Sequence, residues 1–257
     1  MILSTRLASA ICAGTALLFL MTAPGIDAQD IGWSGSAEAN ASLFFGNTDQ
    51  WVIAGASRTA FSDSSVEVRA EIRADYAETS LEDGGSAVSR RAWLASVGVD
   101  LSPFARLSPF VLGSAESSLQ QRIQRRYSAG FGGKVLFVKS DASSLSTSLA
   151  LLWEQTDVMD GNTNPDLESS RLRWSFRLKG RHKLDDRVHF THETFYQPSV
   201  REMQRFTLTS TLAITFDLNK TLALTSTLRD TYDSEARRRG ARSNNDGQLL
   251  LGLRARY

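Results

Sequence analysis

Polar and apolar positions alternate with a period of two along most of this chain. Between residues 66 and 76, the even positions are apolar or aromatic and the odd positions are all charged. Between residues 171 and 179, Leu172, Trp174, Phe176 and Leu178 likewise share one face. Because successive side chains of a strand point to opposite faces, this pattern predicts β-strands with one apolar and one polar face.

Segments of this kind recur to the end of the chain, and almost no stretch has a helical period. The twelve predicted strands lie near residues 33–45, 50–61, 65–78, 90–101, 107–117, 126–138, 144–155, 170–180, 187–197, 204–217, 221–233 and 246–257. Short connections are predicted near 62–64, 102–106, 139–142, 181–186 and 217–220, and longer ones near 79–89, 118–125, 156–169 and 234–245. Short turns on one rim and long loops on the other are typical of outer-membrane barrels, with the short turns periplasmic.

The alternation fits two architectures. In a soluble antiparallel sheet the charged face contacts water and the apolar face a core, whereas in a membrane barrel the apolar face contacts lipid and the charges a wet lumen. After residue 28 no apolar run approaches the roughly 20 residues that a membrane helix needs. The recurrence favours an all-β fold, a transmembrane antiparallel up-and-down β-barrel of about twelve strands over residues 29–257.

The first 28 residues have the pattern of a cleaved signal peptide. Arg6 precedes an apolar stretch at 7–21, which helix-breaking residues at 22–25 end, and Ala28 is a plausible last residue before cleavage. Cys12, the only cysteine, lies within that stretch, so the mature chain would contain neither a disulfide nor a lipidated cysteine.

The end of the chain has an alternating apolar face. Leu249, Leu251, Leu253 and the terminal Tyr257 occupy it, which resembles the last-strand signal that the barrel assembly machinery recognises. The alternative is an ordinary amphipathic final strand.

Composition alone would suit a soluble domain, since 42% of the residues are hydrophobic, 22% are charged and the net charge is +1. This charge is too low to indicate a nucleic-acid partner, and no cofactor is expected. The expected partners are outer-membrane lipid, lipopolysaccharide and the assembly machinery.

Two charged rows are candidates for the lumen lining. One row alternates in sign and could form cross-strand ion pairs in either a plug or a pore; the other is cationic and would favour anions if water passes. Alternatively, these cations neutralise carboxylates on other strands. The rows consist of Glu67, Arg69, Glu71, Arg73 and Asp75, and of Arg171, Arg173, Arg177 and Lys179, with Arg254 and Arg256 as further cations.

Catalysis has little support in the sequence. His182, His189 and His192 are the available histidine bases, His182 lies in a predicted turn, and no Ser adjoins His192 in the manner of lipid-acting barrels. We therefore expect no enzyme, with an outer-membrane lipid-acting hydrolase as the alternative.

Two predicted external loops are rich in polar groups. Asp160, Asn162, Asn164 and Asp166 alternate oxygen ligands as calcium loops do, but Pro165 and the lack of flanking helices favour a polar turn. The other loop contains a run of arginines that could contact phosphates of lipopolysaccharide or another external anion, or could be a solvated charge run. These arginines are Arg237, Arg238, Arg239 and Arg242.

Several segments resemble the salt-induced outer-membrane proteins, catalogued as domain of unknown function 481. The resemblance lies in residues 33–60 with the turn Gly46-Asn47-Thr48-Asp49, in residues 66–76 and 125–133, and in residues 218–222 leading to 231–234. It implies a barrel in the outer membrane of a Gram-negative bacterium, and it brings no established activity and no catalytic residues.

These observations predict a porin-like barrel that either lets small solutes pass or maintains the envelope under salt stress. The second role follows only from the name of the family. The alternatives are the lipid-acting hydrolase and a structural or binding barrel with a closed lumen.

Overall fold

The computed structural model describes residues 32–44, 50–81, 85–159 and 169–257. The predicted signal peptide at 1–28, the turn at Gly46 to Asp49 and the oxygen-rich loop at Asp160 to Asp166 lie outside the described residues.

Twelve antiparallel strands form one closed barrel, which confirms the predicted fold class. Each strand pairs with the next, and the first pairs with the last. The strands are β1 (Gly32–Phe44), β2 (Gln50–Ser62), β3 (Val66–Ser80), β4 (Ser86–Leu101), β5 (Leu107–Ser118), β6 (Ile123–Lys139), β7 (Ser143–Val158), β8 (Ser169–Asp185), β9 (Val188–Pro198), β10 (Phe206–Asp217), β11 (Leu222–Asp233) and β12 (Asn245–Arg256). A short 3-10 helix, Arg237–Arg239, lies between β11 and β12.

The two rims differ. The terminal rim contains both barrel ends and the short turns at 63–65, 102–106, 140–142, 186–187 and 218–221, while the loop rim contains the connections at 119–122, 199–205 and 234–244. Asp63 closes one turn, because its Oδ1 accepts hydrogen bonds from the backbone N–H groups of Ser65 at 2.6 Å and Val66 at 2.8 Å. These two bonds hold the pKa of Asp63 below its usual value, since they favour the carboxylate.

Some strands are longer than the side-chain pattern predicts. Strand β4 begins at Ser86, and β8 continues to Asp185, so His182 lies in a strand and not in a turn. The backbone ladder needs no apolar side chain, so pairing continues into polar residues beyond the apolar band.

The outer surface of the barrel is apolar. Leu249, Leu251 and Leu253 are 61%, 58% and 52% exposed, and similar residues on the other strands complete the surface. By contrast, the buried side chains that face inward include many polar and charged groups, such as Glu154 and Arg173. This polarity is the reverse of that in a soluble protein and identifies a barrel that spans a membrane.

The seam between β1 and β12 closes the barrel. A side chain at Gly252 would collide with the carbonyl oxygen of Ala39 and the side chain of Asn40, so this position requires glycine. The ring of Tyr257 covers Gly35, and its hydroxyl lies 2.8 Å from Thr59 Oγ1 on β2. The terminal aromatic residue therefore ties the last strand to the first two.

Candidate functional site: the barrel lumen

A cavity of about 720 Å³, lined by many charged side chains, runs along the inside of the barrel. Its lining extends from Ser34 and Arg256 at the terminal rim to Ser118 and Gln121 at the loop rim. A second cavity of about 240 Å³ lies beside it, against the inner faces of β1 to β3 and β8 to β12.

Among the described residues, positive groups outnumber negative ones on the wall of the larger cavity. Eleven cationic side chains and seven carboxylates line it. The cations are Arg58, Arg69, Arg73, Arg90, Arg126, Lys134, Arg177, Lys179, Arg229, Arg254 and Arg256, and the carboxylates are Glu71, Asp75, Asp100, Glu116, Glu154, Glu193 and Asp246. Four of these cations pair with carboxylates that lie outside this lining: Arg69 with Glu67, Arg126 with Asp233, Arg254 with Glu38 and Arg256 with Asp217.

The terminal half of the lumen contains a buried carboxylate between two cations. Asp100, which is almost inaccessible, accepts hydrogen bonds from Arg69 at 2.6 Å and Lys134 at 2.5 Å. Arg69 also pairs with Glu67 at 3.0 Å on its own strand. The alternating row on β3 thus faces the lumen and pairs with its neighbours.

In the middle of the lumen the cationic row on β8 meets β9. Arg177 pairs with Glu193, whereas Lys179 has no carboxylate within ion-pair distance among the described residues. Lys179 is enclosed by the barrel, and its side chain is exposed to the cavity.

Near the loop rim, six buried charged side chains form what we call the mouth cluster: Arg126, Glu154, Arg173, Asp233, Glu235 and Arg239. Arg126 on β6 donates to Asp233 at the end of β11 at 3.3 Å, although five strand-to-strand steps separate these strands around the barrel. Arg173 Nε lies 2.9 Å from Glu154 Oε2. The mouth cluster therefore crosses the lumen and narrows one side of the entrance.

Arg171 and Arg173 differ from the expectation of a free cationic row. Arg171 donates to Glu235 at 2.5 Å, and Arg173 is only 2% exposed. Both face inward, but their charges are balanced by carboxylates that come from the preceding strand and from the loop after β11. The alternative of mutual neutralisation holds at these two positions.

The arginine run between β11 and β12 does not lie wholly at the surface. Arg237, Arg238 and Arg242 are exposed, whereas Arg239 is buried, donates to Asp233 at 2.6 Å and donates through Nε to the Gln121 carbonyl at 2.9 Å. Burial lowers the pKa of Arg239, and Asp233 opposes this effect. Arg239 is therefore not available to an external anion, because the loop folds inward over the mouth.

Further ion pairs that the sequence did not indicate also cross the lumen. Arg90 on β4 pairs with Asp246 on β12 at 2.6 Å, and Arg229 on β11 lies 3.7 Å from Asp75 on β3. Each pair joins strands that are four steps apart in the barrel. Strand parity in the sequence indicates that these residues face inward, but their partners depend on strand stagger, which a local pattern does not contain.

The three histidines have separate surroundings. His189 Nε2 lies 2.8 Å from Asp217, and His192 Nε2 lies 2.7 Å from the hydroxyl of Thr194. His182 Nδ1 lies 2.6 Å from Ser143 Oγ on the adjacent strand, a pair that sequence reasoning missed because 39 residues separate the two. Among the described residues no carboxylate bonds to His182, so this pair lacks the third group that orients a catalytic base.

The described part of the chain contains no group of three His, Cys, Asp or Glu side chains that could hold a metal ion. Within the same residues, no helix has the length and apolar character to cross a membrane.

Several solved structures share the barrel architecture at low similarity. The COG4313 outer membrane channel from Pseudomonas putida F1 is 11% identical with a TM-score of 0.47, and the match covers 92% of this chain and 99% of that one. The KdgM porin is 9% identical with a TM-score of 0.42 over 86% and 98% of the two chains. The translocator domain of autotransporter NalP from Neisseria meningitidis is 10% identical with a TM-score of 0.44 over 99% and 97%. Similarity at this level does not indicate what this chain does.

No curated protein matches the chain significantly in sequence. A family model described as "Protein of unknown function, DUF481" matches residues 37–257, which is nearly the whole barrel. The chain therefore belongs to the DUF481 family.

Proposed function

We propose that the protein is a passive channel that lets small solutes, preferentially anions, cross the outer membrane of a Gram-negative bacterium. One observation carries this proposal: a cavity lined by many charged side chains runs from rim to rim inside an apolar barrel, and Lys179 on its wall has no carboxylate within ion-pair distance among the described residues. On this proposal the chain is exported to the periplasm by the signal at 1–28 before it inserts.

The size of the barrel is consistent with small solutes only. Barrels of about 8 strands are filled by side chains, and those of 16 to 18 strands leave a wide aqueous channel. Twelve strands lie between these limits. Ion pairs such as Arg126 to Asp233 occupy part of the cross-section of the lumen, so the remaining path is narrow.

Fixed charge supports a preference for anions. Low-dielectric walls focus the field of the lining charges, which raises the local concentration of the opposite ion. Lys179 contributes strongly, because no described carboxylate pairs with it. The exposed Arg237, Arg238 and Arg242 could in addition contact lipopolysaccharide phosphates at the external rim, which stays a prediction.

The test is the reversal potential of the refolded protein in a planar bilayer under a potassium chloride gradient. We expect a stable current whose reversal potential is shifted toward the equilibrium potential of chloride. Lys179→Glu should shift the reversal potential toward the equilibrium potential of potassium. A potassium-selective current would contradict the preference. Absence of current from protein that still shows heat-dependent gel mobility would contradict the channel and favour a closed barrel. Fatty-acid release from phospholipid vesicles, abolished by Ser143→Ala, would instead indicate a hydrolase.

A further inference from the structure

Seven charged residues line both cavities and form a wall between them, which we call the partition. They are Arg58, Arg73, Asp75, Lys179, Glu193, Arg229 and Arg254. The smaller cavity behind the partition, about 240 Å³, is below the roughly 300 Å³ at which pockets for drug-sized ligands begin. Any ligand that it holds must be small.

Two partition cations are fully paired. Arg254 donates to Glu38 from Nη2 at 2.8 Å and from Nε at 3.1 Å. Arg58 donates to Glu71 Oε1 at 3.1 Å. These arginines are held in place by their carboxylates, and neither supplies a free charge.

The other three partition cations, Arg73, Lys179 and Arg229, are poorly paired, and Lys179 has no carboxylate within ion-pair distance among the described residues. Arg73 lies 3.9 Å from Glu71 Oε1, the atom that already accepts from Arg58. Arg229 lies 3.7 Å from Asp75, and its buried Nε has no hydrogen-bond partner. A buried N–H group without a partner is costly, so the site is incomplete as the protein chain alone forms it.

The charges around the partition do not balance. With the residues that pair directly with it, the partition contains six cations and four carboxylates, an excess of two positive charges. The cations are Arg58, Arg73, Arg177, Lys179, Arg229 and Arg254, and the carboxylates are Glu38, Glu71, Asp75 and Glu193. Arg73 and Lys179 hold the unmatched charge, because the others have closer carboxylates.

The unmatched groups reach the partition from different walls. Arg73 is on β3, Lys179 on β8 and Arg229 on β11, so a ligand between them would be contacted from several sides. Guanidinium groups match the geometry of oxyanions, and an ammonium group adds a point charge. Small residues, Ala54 and Ala213, line the other side of the smaller cavity and leave room for a short carbon chain.

We infer that the partition binds a small dianion, a dicarboxylate or a phosphate, through Arg73, Lys179 and Arg229. The inference rests on the proposed function, because a solute reaches the partition only through the lumen. The dianion supplies the two missing negative charges and an acceptor for Arg229 Nε. The site would then select divalent over monovalent anions during passage.

Binding is tested by titration calorimetry on the full barrel in detergent, with succinate, inorganic phosphate and acetate as probes at slightly alkaline pH. We expect succinate or phosphate to bind at least about tenfold more tightly than acetate. The relative affinities of succinate and phosphate then show whether the site prefers carboxylates or phosphates. Arg73→Gln and Lys179→Gln should each weaken binding by about tenfold. Lys134→Gln removes a lining cation outside the partition and should weaken binding much less than either partition variant, since Asp100 keeps Arg69.

Heat-dependent gel mobility verifies that each variant is folded. The inference is overturned if the wild-type barrel binds neither dianion, or if the partition variants bind as well as Lys134→Gln. An anion-selective current without dianion binding would overturn this inference alone. Dianion binding without any current would support the site and contradict the proposed channel.

Discussion

Replacing Arg126 with Gln should destabilise the barrel by removing the centre of the mouth cluster. Arg126 is 7% exposed and donates to Thr156 at 3.1 Å, Glu116 at 3.0 Å and Asp233 at 3.3 Å. It also lies 3.7 Å from Glu154. The Gln side chain carries no charge, so it cannot balance three carboxylates.

The expected loss follows from what remains around these carboxylates. Removing one partner of a buried ion pair costs about 3–5 kcal/mol when the other charge is left uncompensated. Here Asp233 keeps Arg239 at 2.6 Å, and Glu154 keeps Arg173 at 2.9 Å. We therefore expect Arg126→Gln to lower the free energy of unfolding by about 3 kcal/mol, at the lower end of that range.

Urea unfolding of the protein refolded in phospholipid vesicles, followed by tryptophan fluorescence, measures this loss. Arg242→Gln is the matched control, because it makes the same chemical change at an exposed loop position and should change the stability by no more than about 0.5 kcal/mol. Equal unfolding of the two variants would refute the view that buried ion pairs across the lumen stabilise the mouth.

Three further predictions concern the terminal strand, the lipid-facing surface and a turn. Tyr257→Ser should reduce the amount of protein inserted in the outer membrane and leave a protease-sensitive periplasmic pool. Tyr257→Phe keeps the ring and should insert normally. Equal amounts of the two variants in the outer membrane, measured by cell fractionation, would contradict a terminal assembly signal. Leu251→Lys should lower the free energy of unfolding by about 2–4 kcal/mol if Leu251 lies near the bilayer midplane, as measured by urea unfolding in vesicles. An unchanged free energy of unfolding would indicate that Leu251 does not contact the lipid. Asp63→Ala should lower stability at neutral pH. Because the pKa of Asp63 is lowered in the folded protein, the difference from wild type should begin to shrink below about pH 4, the pKa of an unfolded Asp, and should be lost as the pH falls further through the folded pKa. A difference that stays constant with pH would contradict the role of its two backbone hydrogen bonds.

The fold could be predicted because its determinants are local. Alternation along each strand gave the direction of the side chains, and the polar gaps gave the number of strands. The errors fell at strand ends, such as the placement of His182 in a turn, where backbone pairing continues without an apolar pattern.

The lumen could be predicted only in part. Parity placed Arg73 and Lys179 on the inner face, where they line the cavity. It could not show that Arg173 is matched by Glu154 or that Arg239 folds inward onto Asp233. These pairs depend on the stagger of the strands and on the path of a loop, and neither has a periodic signal in the sequence.

The central claim, a wet lumen with a positive potential, is tested most directly by thiol labelling at Thr211→Cys in a Cys12→Ser background. Thr211 lines both cavities and is uncharged, so the substitution reports the local potential without altering it. An anionic and a cationic methanethiosulfonate reagent are compared there, and their rate ratio is normalised to Ser140→Cys in an exposed turn. We predict that the anionic reagent reacts faster at Thr211→Cys by about tenfold after normalisation. Equal rates, faster reaction of the cationic reagent, or no reaction with either reagent would contradict a wet lumen with a positive potential.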